Sequence, residues 1–258
     1  MAADLFAPLL KELDNWSRCR AVATLWWRDD DAAAPCAPLE RLTRLGADHG
    51  VACGLAVVPA RTGPALRDHV LAAPGLLVLQ HGYAHVNHAP PGNGAWELGP
   101  HRPTAEILAE LRAGMEILRD LFGTRFVPAV VPPWNRMDPA LLALLPGLGF
   151  RGVSASHGRD ATTSPLGMRR ADAHCDLLSW KGGPARFAGQ EKCVTSITEH
   201  LKEKRSGRVN PDEPTGVLTH HLEMDEDAWI FMDDLLSATR SQPAAAWTSP
   251  ADIWPPAE

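Results

Sequence analysis

No stretch of this chain approaches the run of about 18 apolar residues that a membrane span requires. No block of Lys and Arg is present either, and the net charge is −6. Nucleic-acid affinity rests on clustered cations, so no nucleic-acid partner is expected. The five cysteines, Cys19, Cys36, Cys53, Cys175 and Cys193, are scattered and form no C-x-x-C pair. That argues against a disulfide framework and a zinc knuckle, and for a reducing compartment. A secretory leader needs a basic start and an uncharged apolar core of about 7–15 residues. Asp4, Lys11, Glu12 and Asp14 break any such core, while Leu5, Phe6, Leu9, Leu10, Leu13 and Trp16 recur at helical spacing. The expectation is an N-terminal amphipathic helix over residues 1–19 on a cytoplasmic protein with no membrane partner. Also missing is a G-x-G-x-x-G after the first apolar run, which speaks against a dinucleotide-binding fold.

What is present is globular in proportion. Of 258 residues, 45% are hydrophobic and 22% charged, enough apolar material for one large core. An α/β barrel occupies about 250 residues as one unit. Short apolar runs at 21–27, 51–58, 76–80, 126–131, 150–156, 175–180 and 216–221 are expected strands. Helical patterns cover 38–48, 64–72, 103–122, 139–145, 190–204 and 226–240, with Thr104 as the expected cap of the longest. The tail over 241–258, with Trp247 and Trp254 as anchors, is expected to pack on a single domain spanning 1–258. Strands alternating with helices imply a parallel sheet with crossover helices, and a barrel fits better than an open sheet.

The ionisable clusters fall just past strand ends, which in a parallel barrel share one mouth. The first is W-W-R-D-D-D-A over 26–32. Three adjacent carboxylates repel one another; they are either a solvated loop start or are relieved by a metal ion or another cation. The second is H-G-Y-A-H-V-N-H over 81–88. One helical turn would bring His81 and His85 to one side, and neutral imidazole is a frequent metal ligand. With one carboxylate from the first cluster they make a two-His, one-Asp set that suits zinc, and also cobalt, manganese or iron. The third is V-P-P-W-N-R over 131–136, where two prolines stiffen a turn carrying Trp134 and Asn135 as a substrate wall or a packed rim. The fourth is G-V-L-T-H-H-L-E-M-D over 216–225. Neighbours on a strand point opposite ways, so at most one of His220 and His221 faces a pocket, unless both are surface residues. The remaining histidines, His88 and His174 aside, read as surface residues.

In this order and spacing, from about residue 21 to 225, the motifs resemble those of the polysaccharide deacetylase (NodB-homology) family of carbohydrate esterases. The resemblance implies a distorted (β/α)7-type barrel and a metal-dependent hydrolase. R-D-D-D-A looks like the family's T-F-D-D-G, which implies Asp30 as general base and Asp31 as metal ligand, with Asp29-Asp30 as the alternative register. His81-Gly82-Tyr83-Ala84-His85 is similar to H-[ST]-x-x-H, whose histidines are both ligands. Val131-Pro132-Pro133-Trp134 is similar to R-P-P-Y, and Leu218-Thr219-His220 to the late L-x-H that carries the general acid. Asp176 and Trp180 echo D-x-x-D-W. Trp134, Asn135 and Trp180 are the expected substrate-binding residues. Three departures stand out. Val131 replaces an Arg that orients the base, for which Arg28 or Arg136 could substitute; Gly82 replaces Ser or Thr; Ala32 replaces Gly.

The implied activity is removal of an acyl group, such as acetyl, from an N- or O-acylated sugar or a small amide, with one divalent metal. The partner would be a carbohydrate or another small acylated molecule. The rival expectation is a catalytically retired sugar- or metal-binding homologue, which the missing Arg at 131 supports.

Overall fold

A computed structural model of the chain describes residues 5–156 and 167–255; the first four residues of the expected N-terminal helix and the last three of the tail lie outside that set. Seven parallel staves carry the architecture. They are β1 (Ala23–Ala32), β2 (Cys53–Val57), β3 (Leu76–His81), β4 (Phe126–Val131), β5 (Gly152–Val153), the pair β6 (Arg169–Arg170) and β7 (Ala173–Asp176), and, after a small hairpin of β8 (Leu178–Ser179) with β9 (Arg186–Phe187), β10 (Thr215–Thr219). The order is β6-β5-β4-β3-β2-β1-β10-β7. Only Ala171 and Asp172 separate β6 from β7, so one length of chain begins at one end of that path and finishes at the other. Ser156 also bridges Ala173. The sheet therefore curls closed, as the distorted (β/α)7 barrel requires.

Parallel strands covered on both faces read as near-continuous apolar runs, and β2 and β3 are buried at every position. Trp26, Ala56, Leu79, Ala129, Val131 and Ala171 fill the barrel interior. Leu25, Trp27, Leu55, Val78 and Val130 point outward into the larger core made with the helices. Those helices are α1 (Ala7–Arg18), α2 (Ala37–His49), α3 (Pro64–Ala72), α4 (Thr104–Phe122), α5 (Gln190–Arg205) and α6 (Glu226–Arg240). The tail contributes β11 (Ala245–Trp247), paired with the start of β1, and then Trp254, whose ring lies edge-on to Trp26 at 5.3 Å inside the barrel. Gly152 leaves room for that plug, because a Cβ there would sit 2.1 Å from the Trp254 Nε1.

Several expected boundaries move, each for a local reason. The first strand continues through all three aspartates to Ala32 rather than ending at Trp27, because each acid finds a partner. Thr104 is the first residue of α4, not its cap, and Pro103 precedes it without a side-chain cap. The 139–145 helix breaks into two single turns, Pro139–Leu142 and Leu145–Leu148. The 150–156 run is strand only over Gly152–Val153. The 175–180 run splits at Leu177, where the Asp176 side chain accepts the Leu178 N–H and turns the chain. Among the described residues, no helix is long and apolar enough to cross a membrane.

Candidate metal centre and active site

Strand alternation decides where the three aspartates go. On β1, Trp26 faces the barrel interior and Trp27 the helices, so Arg28 and Asp30 share the interior side and Asp29 the opposite one. Asp29 is buried away from the mouth. It accepts hydrogen bonds from Thr219 Oγ1 at 2.6 Å and the His221 N–H at 3.0 Å, and it pairs with the His221 Nδ1. Alternation alone would send Asp31 to that same outer side. A register shift between Asp29 and Ala32, with Asp31 at φ 71°, turns its carboxylate back to the mouth. A bulge at the rim of a barrel re-aims a side chain in just this way.

Asp31 meets both expected histidines. Its Oδ1 lies 3.1 Å from the Nε2 of His81 and 3.1 Å from the Nε2 of His85. The three donor atoms fall within 4.8 Å of one another. His81 ends β3, but the turn to His85 is not the helical turn expected from the i, i+4 spacing. Gly82 and His85 both take positive φ, 54° and 55°, and this folds the second ring toward the first.

The donor chemistry fits a divalent cation. The His81 Nδ1 lies 3.0 Å from the Val131 carbonyl, which can only accept, so Nδ1 carries the proton. In the neutral ring Nε2 then presents a lone pair toward the Asp31 carboxylate, an arrangement that needs a proton or a cation between the two. A ligating histidine whose other nitrogen donates to a carbonyl is the usual outer arrangement of such sites. Burial alone would raise the Asp31 carboxyl, but the hydrogen bonds and charges of His81 and His85 outweigh it and hold it well below the usual carboxylate range. Burial pushes His81 down, and the charges of Asp30 and Asp31 more than reverse that.

Asp30 sits beside this set, clasped by Arg28. The buried guanidinium places Nε 2.9 Å from Asp30 Oδ1 and donates from Nη2 to Oδ2 at 3.0 Å. It is itself oriented by Asn135 Oδ1 at 2.6 Å and Ser154 Oγ at 2.7 Å. The cation missing at Val131 is thus supplied by β1 itself, two residues before the carboxylate it meets. Arg136 is not the substitute: it donates to the Asn93 carbonyl at 3.4 Å and lies over the Trp96 ring.

Across the mouth, His220 presents Nε2 4.0 Å from Asp30 Oδ2, while His221 turns the other way to Asp29. Both are buried rather than a surface pair. The Trp180 ring meets His220 edge-on at 4.8 Å, and its indole N–H donates to Asp176 Oδ2 at 3.1 Å. Burial raises the Asp176 carboxyl, and the charge of His220 pulls it back only in part. Trp134 stacks obliquely on His85 at 4.3 Å. A cavity of about 350 Å³ joins these groups and is lined also by Ala95 and Ser156.

All eight residues expected at the site from the sequence line this one cavity. Asn135 does so with its carbonyl oxygen committed to Arg28. Sequence reasoning missed Ser154, the Asp29–His221 pair and Glu97. It also read His200 as a surface residue, whereas His200 is buried on α5 against Thr215.

A scan against family models finds no match, and a search of curated proteins finds none. Solved structures do match over almost the whole chain, at identities that speak for the fold alone. A family 4 carbohydrate esterase from Streptomyces lividans, in complex with acetate, superposes with a TM-score of 0.55 at 11% identity, over 90% of this chain and 95% of that one. A family 4 carbohydrate esterase from Bacillus anthracis gives 0.55 at 14% identity, over 90% and 82%. A CE4 esterase from Streptococcus mutans gives 0.54 at 11%, over 93% and 90%. The chain therefore has the barrel fold of the carbohydrate esterases.

Proposed function

We propose that the protein is a metal-dependent hydrolase that removes an acyl group, acetyl in the simplest case, from an N- or O-acylated sugar or a related small amide. The observation that carries this reading is the convergence of Asp31, His81 and His85 beside Asp30 and opposite His220 at the barrel mouth. It is supported by the fold shared with carbohydrate esterases.

Asp31, His81 and His85 would hold one divalent metal, zinc by donor type, with cobalt, manganese or iron compatible. Such an ion, when bound, lowers the pKa of a water and polarises an acyl carbonyl. The chain's own groups do the rest. Asp30, fixed by Arg28, takes a proton from the attacking water as its oxygen bonds to the acyl carbon. His220 holds a proton at Nε2 and gives it to the departing amine or alkoxide as the C–N or C–O bond breaks. Trp180, anchored by its N–H bond to Asp176, packs edge-on against the His220 ring, and Trp134 walls the pocket beside His85.

The cavity volume suits one sugar-sized unit better than a polymer strand. Ala95 lines it, and the surrounding 83–102 segment is tied down by Arg136 through Asn93 and Trp96. The retired-module reading loses its main support, because Arg28 meets the carboxylate that Val131 cannot.

The test is His81→Ala alongside the wild type, with metal content by elemental analysis and acetate release from N- and O-acetylated sugars. The variant is expected to lose both bound metal and turnover. Undiminished hydrolysis by metal-stripped protein would overturn the proposal.

A further inference from the structure

The turn between the two imidazoles belongs to neither a helix nor a strand, so its backbone groups need other partners. The Gly82 N–H donates to the Val131 carbonyl at 3.1 Å, and the Gly82 carbonyl accepts from Gln80 Nε2 at 3.0 Å. The Tyr83 carbonyl accepts from the Ala60 N–H at 2.9 Å. The N–H groups of Tyr83 and Ala84 both donate to one side chain, Glu97, whose Oε2 and Oε1 lie at 3.0 Å and 2.7 Å. Glu97 has no exposed surface. A carboxylate receiving two backbone N–H bonds in a buried place is a strong, charge-assisted clamp.

Position 82 is matched to that clamp. A Cβ there would lie 1.9 Å from Glu97 Oε2 and 2.6 Å from Pro133 Cγ, and the residue sits at φ 54°. The missing side chain at 82 is therefore the space the carboxylate occupies. Glu97 is in turn held by its neighbours. The Trp96 N–H donates to Asn87 Oδ1 and its carbonyl accepts from the His88 N–H, while Leu98 bridges Met137 behind β4.

We infer that Glu97 is a positioning residue of the metal centre: its carboxylate fixes the 82–84 turn, and thereby sets the His85 ring against His81 and Asp31. The inference rests on the reading that these two imidazoles hold a metal. It assigns the long polar segment 83–102 a role, which is to deliver one buried carboxylate to the ligand turn.

The experiment is a Zn²⁺ titration against a chromophoric chelator, paired with amide hydrogen exchange of the metal-free proteins. It covers the wild type, Glu97→Ala, Glu97→Gln and Gly82→Ala. Loss of an outer partner of a metal ligand weakens binding by about 10–100-fold, and that is the loss expected for Glu97→Ala, with faster exchange at Tyr83 and Ala84. Gly82→Ala, which expels the same carboxylate from the other side, is expected to move both readouts the same way. Glu97→Gln keeps the shape and one acceptor and is expected to fall between Glu97→Ala and the wild type. If Glu97→Ala does not fold, Glu97→Gln decides. Wild-type zinc affinity in the variants that fold, with Tyr83 and Ala84 still protected, overturns the clamp while leaving the metal centre intact. Failure of the wild type itself to bind zinc, cobalt, manganese or iron overturns both the clamp and the hydrolase reading.

Discussion

Replacing Arg28 with Met would remove a fully buried guanidinium and leave Asp30, equally buried, without its cation. Breaking a buried ion pair from one side costs about 3–5 kcal/mol, because the surviving charge stays desolvated. Asn135 Oδ1 and Ser154 Oγ lose their donors as well, which adds about 1 kcal/mol for each bond. In a chain of this size each kcal/mol moves the melting temperature by roughly 2–4 °C, so the combined loss of about 5–7 kcal/mol is expected to melt Arg28→Met about 10–28 °C below the wild type. The cost comes mostly from the stranded charge, so Asp30→Asn should relieve part of it. The double variant is expected to be more stable than the sum of the two single losses by about 2 kcal/mol. Arg28→Lys separates folding from function. It keeps the positive charge but offers a point where the carboxylate meets a planar fork, so it should retain most of the stability. Turnover should fall by about 100-fold as Asp30 loses its orientation. Thermal melts of the metal-free proteins and acetate release measure the two effects. Independent, additive losses in the double-mutant cycle would refute the argument that Arg28 exists to hold Asp30.

Lys204 gives a prediction away from the site. Its ammonium is buried, donates to the Thr24 carbonyl and Oγ1, and has a pKa lowered by burial to about 8. The folded value lies below the unfolded one, so between about pH 8 and 10.5 the unfolded chain binds the extra proton, and stability rises with pH across that window by roughly 3 kcal/mol. Lys204→Met should abolish that part of the slope; urea melts at pH 7.5 and 10 that rise equally in both proteins would contradict it. Trp180→Ala removes the edge contact with His220 and the indole donor to Asp176. An aromatic contact of this kind contributes about 0.5–1.5 kcal/mol, so kcat/KM should drop up to roughly tenfold. The ring is half-exposed, so the melting temperature should barely move; unchanged steady-state kinetics would remove Trp180 from the site.

Much of this arrangement could be read from the sequence, and the misses share a cause. The staves were legible because a strand buried on both faces must be apolar along most of its length, as β2 and the first four residues of β3 are. The meeting of Asp31, His81 and His85 was legible because the two histidines are close in sequence and the three aspartates follow an apolar run. The course of β1 past Trp27 was not, since three acids read as loop until their partners are known. Those partners, His221, Arg28 and the two imidazoles, include residues 192 and 50 positions away. Ser154 was invisible for the same reason, at 126 positions from Arg28. Glu97 did leave a signal. It is the one acid in the polar 83–102 stretch, set between Trp96 and Leu98, and a lone carboxylate flanked by large apolar residues has a reason to be buried.

The three acids also explain how the departures at 131 and 82 fit together. In a strand, residues two apart share a face, so a cation at 28 reaches a carboxylate at 30 without help from β4. An arginine at 131 would compete for the same space, and Val131 instead packs in the interior and lends its carbonyl to His81 and to Gly82. That carbonyl fixes one imidazole and one end of the ligand turn; Glu97 fixes the middle. Four of the five non-glycine residues with positive φ among the described residues, Asp31, His85, Trp134 and Asn135, lie at this mouth. Each such backbone costs roughly 1–3 kcal/mol and persists only where its surroundings over-determine it. Here the surroundings are named: a bulge for Asp31, a clamped turn for His85, and the Pro132-Pro133 turn with the Arg28 bond for Trp134 and Asn135. The strain is concentrated on the groups that converge at the mouth, which is what the proposed cation site with its proposed base alongside requires.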